Sequence, residues 1–525
     1  MTESAVSEGA RTSRKRVLML VGNDIRNDTR VLKSALALSH GGLDVTVLGY
    51  GSAGVREETD LGAVRILRVP VQWRFRDAAT ARRRVLGGKV AVDPERRRLL
   101  DLRASLRARE AAEEGTAAHR LRYAAAESHR QLARVRSGVD RTLTRLENKA
   151  WRLVDAAGNR SMRGTGWRDL LPEIKDYELA FGPVIDRLEW DVLHAHDVHL
   201  VGVASGAVAR RRALGQETSW VYDAHEFVAG LSLYGSRTRR KVAAYVSLES
   251  EYIRSAAGVL TVSEPLAIEL QRRYSLPRRP TVVMNSPVLG AGSNTVTIDL
   301  RASVGLPDDV PLIVYSGGVT EARGVQTAVA ALPDLPGVHL AVVCVPHNRV
   351  AQAGRLLAQA TKLGVADRLH LLDPVRPDEV SAFVATADVG LLPVRHFGSH
   401  EVALANKLFE YLYAGIPVLV SDCKAQADFV RTHGVGAVHV ADDATSFATE
   451  LRWLLARHDE VAEVIAHSPD LLEPFAWERQ EAALRAFYRD LLGSPNLVVE
   501  PVRASTLDAL TEVPRARTDR HQSSG

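Results

Sequence analysis

The sequence predicts an α/β protein built from two doubly wound, Rossmann-like domains that face a cleft, with a helical insertion in the first domain. Three observations predict this class. Short apolar runs alternate with helical patterns in two separate series. A polar segment rich in Gly, Ser, Asn and Thr separates the two series. A long arginine-rich stretch interrupts the rhythm of the first series.

The first series begins with the apolar run 17–21, which is predicted to be a strand ending at Gly22. Apolar residues at helical spacing follow, and residues 45–48 form the next apolar run. A strand, a helix and a strand at this spacing form a βαβ unit, so we expect a parallel sheet. Further strands of this sheet are expected at 191–195, 219–223 and 258–262.

Residues 76–176 form the predicted insertion, which carries the arginine runs 82–84 and 96–98. Apolar residues recur there in three- and four-residue steps, which predicts a long helix with a coiled-coil-like seam, paired as a hairpin with an earlier helix near 95–130. The seam residues are Leu132, Val135, Val139, Leu143, Leu146, Ala150 and Leu153. We interpret the arginines first as a solvated, salt-bridged face. The alternatives are contact with an anionic membrane surface or an anionic polymer, or self-association through these helices.

The second series follows the polar linker near residue 290. Its strands are expected at 312–316, 339–345, 369–372, 389–392 and 417–420. Its helices are expected at about 323–332, 348–363, 378–386, 404–413 and 446–456. The predicted domains are 17–290 and 295–475, with a final helix at 476–493 that packs back toward the first domain. We expect residues 1–16 and 494–525 to be disordered.

The composition is that of an ordinary soluble protein. The chain has 525 residues, of which 46% are hydrophobic and 25% charged, and a formal net charge of +5, which does not favour nucleic acid as a partner. Two cysteines, Cys344 and Cys423, exclude a disulfide framework and give no zinc spacing. Without a signal peptide or an apolar span, we expect a cytoplasmic protein, peripheral at most at the inner face of the cell membrane.

The strongest local pattern is the run 406–418, NKLFEYLYAGIPV. Asn406, Lys407 and Glu410 share one face near the start of a predicted helix. A carboxylate there can accept hydrogen bonds from the vicinal diol of a ribose, and Lys407 offers a point charge for phosphate. The alternative is an exposed Lys–Glu pair that contributes little to stability.

A second pattern, SGGVTEARG at 316–324, follows a strand and precedes a helix. Gly317 and Gly318 allow the backbone to approach a ligand closely, and the helix start attracts phosphate. Arg323 could bind that phosphate bidentately. The alternative is an ordinary turn between a strand and a helix.

Together these runs resemble the nucleotide-sugar signature and the phosphate loop of family 4 of the retaining glycosyltransferases, which have the GT-B fold of two Rossmann-like domains. Other fragments resemble the family in the same order along the chain, and the resemblance spans about 17–75 and 177–492. These fragments are 22–24 (GND), 28–30 (DTR), 191–197 (DVLHAHD), 222–226 (YDAHE), 261–263 (TVS) and 283–287 (VMNSP).

The resemblance implies transfer of a sugar, with retention of configuration, from a nucleotide-diphosphate sugar to an acceptor hydroxyl. The acceptor would be a glycan, a lipid-linked molecule or a small molecule, in cell-envelope or exopolysaccharide synthesis. Catalytic roles fall to His196, Arg323 and Glu410. Donor contacts fall to Gly22, Asn23, Gly317, Gly318, His400, Asn406, Lys407 and Glu410. The acceptor side comprises Asp24, Asp197, His225 and Glu226.

Two positions depart from the family pattern. The first glutamate of its paired motif should stand at Val402, where the adjacent Glu401 would point elsewhere. The arginine that usually accompanies the phosphate-binding lysine should stand at Gly318. We hypothesise that Lys407 supplies the missing charge and that His400 approaches the donor sugar.

The resemblance implies that no metal or other cofactor is bound, and the sequence has no DxD on a strand-end loop. His194 and His196 lie on a predicted strand, and we expect them to point to opposite faces rather than to form a metal site. Breaking the glycosyl–phosphate bond builds negative charge on the diphosphate, which fixed positive groups would stabilise.

Two other classes of function stay open. A nucleotide-sugar epimerase or hydrolase on the same scaffold would need a pair of carboxylates facing the reacting carbon. A non-catalytic binding or scaffold protein would work through the basic helical hairpin, and Val402 and Gly318 favour that alternative.

Overall fold

A computed structural model describes residues 14–26, 28–51, 54–82, 94–161, 166–233, 237–288, 299–376, 379–494 and 497. The chain divides into two compact units. The larger unit comprises Met1–Val71, Tyr177–Arg237 and Val242–Gly525, and it contains both sheets. The smaller unit comprises Gln72–Asp176 and Thr238–Lys241. The predicted linker near 290, most of 1–16 and nearly all of 494–525 lie outside the described residues.

The first sheet has eight strands in the order β3-β4-β2-β1-β5-β6-β7-β8, parallel except for β3. Its strands are β1 (Arg16–Leu20), β2 (Asp44–Gly51), β3 (Glu57–Leu61), β4 (Val64–Pro70), β5 (Val192–His196), β6 (Ser219–Ala224), β7 (Gly258–Thr261) and β8 (Thr281–Val282). The central strands are buried along their length because helices cover both faces of a parallel sheet.

The second sheet has six parallel strands in the order β11-β10-β9-β12-β13-β14. They are β9 (Leu312–Gly318), β10 (His339–Val345), β11 (Leu369–Leu372), β12 (Val389–Leu392), β13 (Val418–Ser421) and β14 (Gly436–His439). The order reverses between β9 and β12. Ligands of doubly wound sheets bind beyond the carboxyl ends of the strands at such a reversal.

The helices are, in chain order, α1 (Thr29–His40), α2 (Arg74–Arg82), α3 (Pro94–Glu114), α4 (Ala117–Ser161), α5 (Trp167–Leu170), α6 (Glu173–Arg187), α7 (Val201–Ala213), α8 (Arg239–Tyr252), α9 (Glu264–Tyr274), α10 (Leu300–Val304), α11 (Val325–Ala331), α12 (Ala351–Leu363), α13 (Val380–Val384), α14 (Gly398–Glu401), α15 (Asn406–Tyr413), α16 (Lys424–His433), α17 (Ala444–Leu455), α18 (His458–Ala466), α19 (Pro469–Leu472) and α20 (Trp477–Leu492). None of the helices in the described part of the chain has both the length and the apolar composition needed to cross a bilayer.

The last helix, α20, joins the core of the first sheet although it follows the second sheet in sequence. Trp477, Leu484 and Tyr488 are fully buried there. The buried Arg485 pairs with Glu481 and donates through Nε to the carbonyl of Ala37 in α1, at 2.7 Å. The chain therefore crosses back after the second sheet and ties the two sheet domains together.

The smaller unit contains the helical hairpin of α3 and α4. Ala104 on α3 and Ala133 and Ser137 on α4 are buried. The predicted seam is not the packing face, because Leu132, Val139 and Leu146 on α4 stay 46–59% exposed. The expectation of a coiled-coil seam was therefore wrong. Small residues let the two backbones approach, and the leucine stripe is turned toward solvent.

The predicted fold class is confirmed, because both series of strands form doubly wound parallel sheets. The edge strands β3, β8 and β14 were not predicted, and neither was β4, which lies between β3 and β2. β3 is antiparallel and four of its five residues are polar, and its side chains alternate between partly exposed and exposed positions until Leu61. Such a strand lacks the continuous apolar run that marks the buried strands.

Candidate active site

The loop after β1 is held by its own polar groups. Asn23 donates through Nδ2 to Asp28 (2.7 Å) and accepts at Oδ1 from the backbone N–H of Ile25 (2.8 Å). The carbonyl of Gly22 accepts from the Tyr177 hydroxyl at 3.1 Å. The side chain of Asn23 therefore shapes this loop, and a donor contact would use its remaining N–H or the backbone.

Asp24 lies in the same loop and is half-buried. Its carbonyl accepts from Nε of Arg68 at 2.8 Å, which fixes the backbone and leaves the carboxylate outside this contact. Its position on the acceptor side stays a prediction.

Asp223, at the end of β6, is the centre of a buried polar network. Arg30 binds it bidentately, with Nη2–Oδ1 at 2.6 Å and Nε–Oδ2 at 3.0 Å, and donates from Nη1 to the carbonyl of Val283. Burial alone would raise the pKa of Asp223, but Arg30 and His225 outweigh it and hold that pKa well below the usual range. Asp223 is therefore an anion that orients its neighbours.

His194 and His196 share one face of β5. Their rings stack with centroids 4.2 Å apart, and both lie beside Asp223. The expectation that they point to opposite faces was wrong, because residues two apart on a strand lie on the same side. Nδ1 of His194 bonds the hydroxyl of Tyr488 at 2.9 Å.

His196 is fully buried and uncharged. Burial is the largest effect and, together with His194, lowers its pKa to about 3. Its Nδ1 lies 3.1 Å from Nε2 of His225, whereas its Nε2 is buried without a partner among the described residues. His196 itself does not line the cavity described below, but its neighbour Asp197 and its partner His225 do, so a buried, unpaired ring nitrogen lies behind the cavity wall.

His225 carries the positive charge in this group. Burial would lower its pKa, but the carboxylates of Asp197 (3.4 Å) and Asp223 (3.1 Å) outweigh it and raise the pKa to about 9. The pKa of Glu226 is raised as well, because burial and Asp197 both disfavour its charged form. A cation and a carboxyl of raised pKa therefore stand side by side.

His225 and Glu226 border a cavity of about 340 Å³ in the larger unit. It opens beyond the ends of β5 and β6, where a doubly wound sheet binds ligands. It is lined by Asp197, Val198, His199, Tyr222, His225, Glu226, Val228, Leu231, Arg237 and Tyr245. Three of the four residues predicted for the acceptor side, Asp197, His225 and Glu226, line this one cavity.

The predicted phosphate loop begins within the last residues of β9. Gly317 has φ +142°, and a Cβ there would lie 2.0 Å from Cε of Lys407. Lys407 therefore lies against the glycine backbone. Arg323 ends a short 3-10 turn after Gly318 and is exposed, with no hydrogen-bonded or ion-paired partner among the described residues. Arg323 and Lys407 are therefore two cations near the end of β9, and neither side chain is paired with a carboxylate in the part of the chain that the structure describes.

Helix α15 places the predicted ribose-binding carboxylate. Asn406 donates through Nδ2 to Oε1 of Glu410, one turn later on the same face. The buried Lys33 of α1 is close enough for Glu410 to raise its pKa, although burial dominates and lowers it to about 7. Tyr411 accepts from the backbone N–H of Ser316 at 2.8 Å, which ties this helix to the start of the phosphate loop.

His400 lies on the short helix α14. Its Nδ1 lies 2.7 Å from the carbonyl of Arg395, which can only accept, so Nδ1 carries the proton and Nε2 is the acceptor. Burial and Arg323 lower the pKa of His400. Glu401 instead accepts from the backbone N–H of Lys424, and Val402 contributes its carbonyl to Ser263 Oγ. Neither residue replaces the missing glutamate of the paired motif at this position.

Part of the chain matches a known family of glycosyl transferases. Residues 310–457 match the family model described as glycosyl transferases group 1, and the matched segment contains the phosphate loop and α15. A D-inositol 3-phosphate glycosyltransferase from Xylanimonas cellulosilytica is 24% identical over 300 residues, which cover 57% of this chain and 66% of that protein. The chain thus spans just under two thirds of this relative's length.

Solved structures show the same architecture over most of the chain. A sucrose-phosphate synthase from Thermosynechococcus elongatus gives a TM-score of 0.59 at 14% identity, covering 92% of this chain and 100% of that one. HepE from Anabaena, solved with UDP and glucose, gives 0.54 at 13% identity, with 92% and 100% covered. The protein has the GT-B fold. The matches agree with the predicted class of enzyme, a glycosyltransferase.

The GT-B arrangement brings residues of both sheets to one region. Glu226 follows β6 of the first sheet, and Arg323 follows β9 of the second. Although they follow strands of different sheets, Arg323 is close enough to Glu226 to reduce the rise in its pKa. Arg323 also lowers the pKa of His400, so the three groups are electrostatically coupled. The sheet domains touch where a Cβ on Gly230 would lie 2.4 Å from the backbone nitrogen of Ser399, on α14.

Several residues of the GT-B cleft were not predicted as site residues. Arg30 orients Asp223, Lys33 lies near Glu410, and Arg237 and Tyr245 line the cavity. Arg30 was quoted only as part of a family fragment. Its partner stands 193 residues away, and spacing along one sequence carries no signal for such a pair.

Proposed function

We propose that this protein is a glycosyltransferase that moves a sugar from a nucleotide-diphosphate donor to an acceptor hydroxyl. The observation that carries the proposal is Arg323 at the end of the glycine loop. Its side chain is exposed, has no partner among the described residues, and is electrostatically coupled to His400 and to Glu226 of the opposite sheet. A cation held beside a cleft, without a carboxylate partner, suits the charge that develops on a departing diphosphate.

The donor would lie along the second sheet. Glu410, held by Asn406, would accept hydrogen bonds from the ribose diol. The backbone at Gly317 and the ammonium of Lys407 would contact the diphosphate, with Arg323 closing over it. The sugar would then point toward His400 and His196, whose unpaired Nε2 can bond a sugar hydroxyl.

We propose a uridine nucleotide sugar as the first donor to test, because HepE, of similar fold, was solved with UDP and glucose. Retention of the anomeric configuration is proposed from the likeness of the run at 406–418 to retaining transferases. NMR of the product's anomeric proton would test it, and an inverted product would contradict retention without contradicting transfer.

The cavity beyond β5 and β6 is proposed to hold the acceptor. It combines the cation of His225 with the carboxyl groups of Asp197 and Glu226 and the hydroxyl groups of Tyr222 and Tyr245. Such a lining suits a hydroxyl-rich molecule, because every polar side of the ligand can find a donor or an acceptor.

A nucleotide-binding measurement tests the donor site. We expect UDP at 100 times its dissociation constant to stabilise the protein by about 2.7 kcal/mol, a readable rise in melting temperature. Glu410→Ala should lose most of that rise, together with turnover, because the ribose contact is gone while the fold stays intact.

Lys362→Ala, on the exposed end of α12, serves as the matched control and should respond to UDP like the parent. A full thermal shift in Glu410→Ala would contradict the placement of the ribose. No release of nucleotide from any donor, together with tight binding through the helical hairpin, would favour the scaffold alternative.

We further propose that the smaller unit contacts an anionic membrane surface. Helix α4 carries nine arginines and one lysine against four acidic residues. Its exposed stripe of Leu132, Val139, Leu146 and Leu153 repeats every seven residues. An amphipathic basic helix of this kind binds the headgroup region of anionic bilayers, where a lipid-linked acceptor of cell-envelope or exopolysaccharide synthesis would be presented.

Vesicle sedimentation tests this surface. We expect the protein to pellet with phosphatidylglycerol vesicles at low salt, to be released by added salt, and to ignore phosphatidylcholine vesicles. Leu132→Asp combined with Leu146→Asp should abolish pelleting, whereas Leu357→Asp, an exposed leucine on α12, should not. A dimer in sedimentation velocity that the double variant dissociates, without vesicle binding, would show self-association instead.

A further inference from the structure

A second cluster of potential ligands lies beyond the ends of β12 and β13. His396 bonds Glu401 Oε1 through Nδ1 at 2.6 Å and Asp422 Oδ1 through Nε2 at 2.9 Å. The thiol of the buried Cys423 lies 3.8 Å from the same Nδ1. His396, Glu401 and Cys423 therefore offer nitrogen, oxygen and sulfur atoms, all within 4.8 Å of one another.

The spacing is that of ligands around one small ion. With Zn–S near 2.3 Å and Zn–N near 2.0–2.1 Å, two ligands at a tetrahedral angle stand about 3.6 Å apart. The 3.8 Å between Sγ of Cys423 and Nδ1 of His396 is close to this value. Two atoms that bind the same metal ion stand less than about 1 Å farther apart than two hydrogen-bonded atoms. The Glu401 carboxylate would therefore have to move away from Nδ1 of His396 by less than about 1 Å.

Asp422 contacts the other ring nitrogen of His396, on the side away from Glu401 and Cys423. A metal-binding histidine usually donates its other ring N–H to a carboxylate, which fixes the tautomer and the ring. Asp422 stands at Nε2 of His396 in that position and is itself held by the backbone N–H of Ala441 at 2.9 Å. Nδ1 donates to Glu401 in this structure, and after loss of that proton its lone pair would face Glu401 and Cys423.

The other cluster of potential metal ligands among the described residues already has a positively charged partner, Arg30. His194, His196 and Asp223 also lie close together, but Arg30 binds both oxygens of Asp223 from 2.6 and 3.0 Å. A cation placed there would meet the guanidinium. The environment of His396 differs, because the contacts of its ring are with carboxylates and a thiol.

We propose that His396, Glu401 and Cys423 bind a divalent transition-metal ion, with zinc as the best match to the mixed nitrogen, oxygen and sulfur ligands. Three protein ligands leave the fourth position open, and His396 is half exposed, so solvent reaches it. The thiol proton and any proton on Nδ1 pass to solvent when the metal binds.

The ion would pin α14 to the start of α16. Glu401 already accepts from the backbone N–H of Lys424 at 2.8 Å, and Cys423 precedes that residue. His400, one residue before Glu401, is carried by the same short helix. The metal would therefore hold the segment that presents His400, without a part in bond breaking.

Metal binding can be measured without any assay of activity. We expect the tag-free full chain to bind one zinc ion and to give a near-ultraviolet sulfur-to-cobalt charge-transfer band when titrated with Co²⁺. Cys423→Ser should lose that band, and Asp422→Asn should weaken binding about 10- to 100-fold through the ring orientation. Cys344→Ser is the matched control, since Cys344 is also buried but lies on β10.

Retention of the band in Cys423→Ser, or its loss in Cys344→Ser, would overturn the assignment. If Cys423→Ser folds poorly, Glu401→Gln gives the same test by cobalt affinity. Failure of the parent to bind either metal would show that the cluster is an ion-pair network only. None of these outcomes depends on the proposed transferase activity, so the two proposals fail independently.

Discussion

Arg323→Ala is expected to lower kcat by about 10²- to 10³-fold, because removal of one fixed group that stabilises developing negative charge has an effect of this size. The guanidinium is exposed and has no partner among the described residues, so its loss leaves no buried charge and should not change the fold. Release of nucleoside diphosphate from the donor measures turnover, and circular dichroism monitors the fold.

The distribution of the effect between kcat and KM identifies the role of Arg323. An interaction made only in the transition state lowers kcat and kcat/KM equally, whereas a uniform binding contact raises KM alone. Arg355→Ala, which removes an exposed arginine from α12, should leave both parameters unchanged. A normal kcat in Arg323→Ala would show that another cation stabilises the leaving group.

The sequence predicted the buried strands because a parallel sheet covered on both faces needs continuous apolar runs, as in the run that forms β1. It also located Gly317 at a strand end, Arg323 in the turn that follows and Glu410 on a helix, and such sheets bind ligands beyond their strand ends. These predictions rest on local composition and short spacing, which a single sequence displays directly.

The long-range contacts could not be predicted in this way. Arg30 meets Asp223 because β6 enters the sheet two strands away from β1, and sheet order is not written in local spacing. The proposed metal ligands could not be predicted for the same reason, since Cys423 follows His396 by 27 residues and the two meet only in the folded chain. For the exposed stripe of α4, the sequence predicted a packing contact that the structure does not have. Heptad spacing identifies an apolar face but does not say what covers it.

Gly317→Ala is expected to reduce kcat/KM at least as strongly as Lys407→Ala. The residue has φ +142°, which an L side chain adopts only at a cost of about 1–3 kcal/mol, and the new methyl group would lie 2.0 Å from Cε of Lys407. Lysine side chains move easily, so the protein should still fold. The ammonium would leave the loop, and the backbone could no longer approach the diphosphate closely.

The test is a double-mutant cycle of Gly317→Ala and Lys407→Ala, read as kcat/KM for the donor. Because one substitution displaces what the other removes, we expect the double variant to lose less than the sum of the two single losses. Gly354→Ala lies within α12, and apart from its chain neighbours and its own helix backbone no described atom is within 4 Å of the added Cβ, so this variant should behave like the parent. Strictly additive losses would mean that Lys407 and the glycine backbone act on separate parts of the donor, and that the loop does not work by placing the lysine.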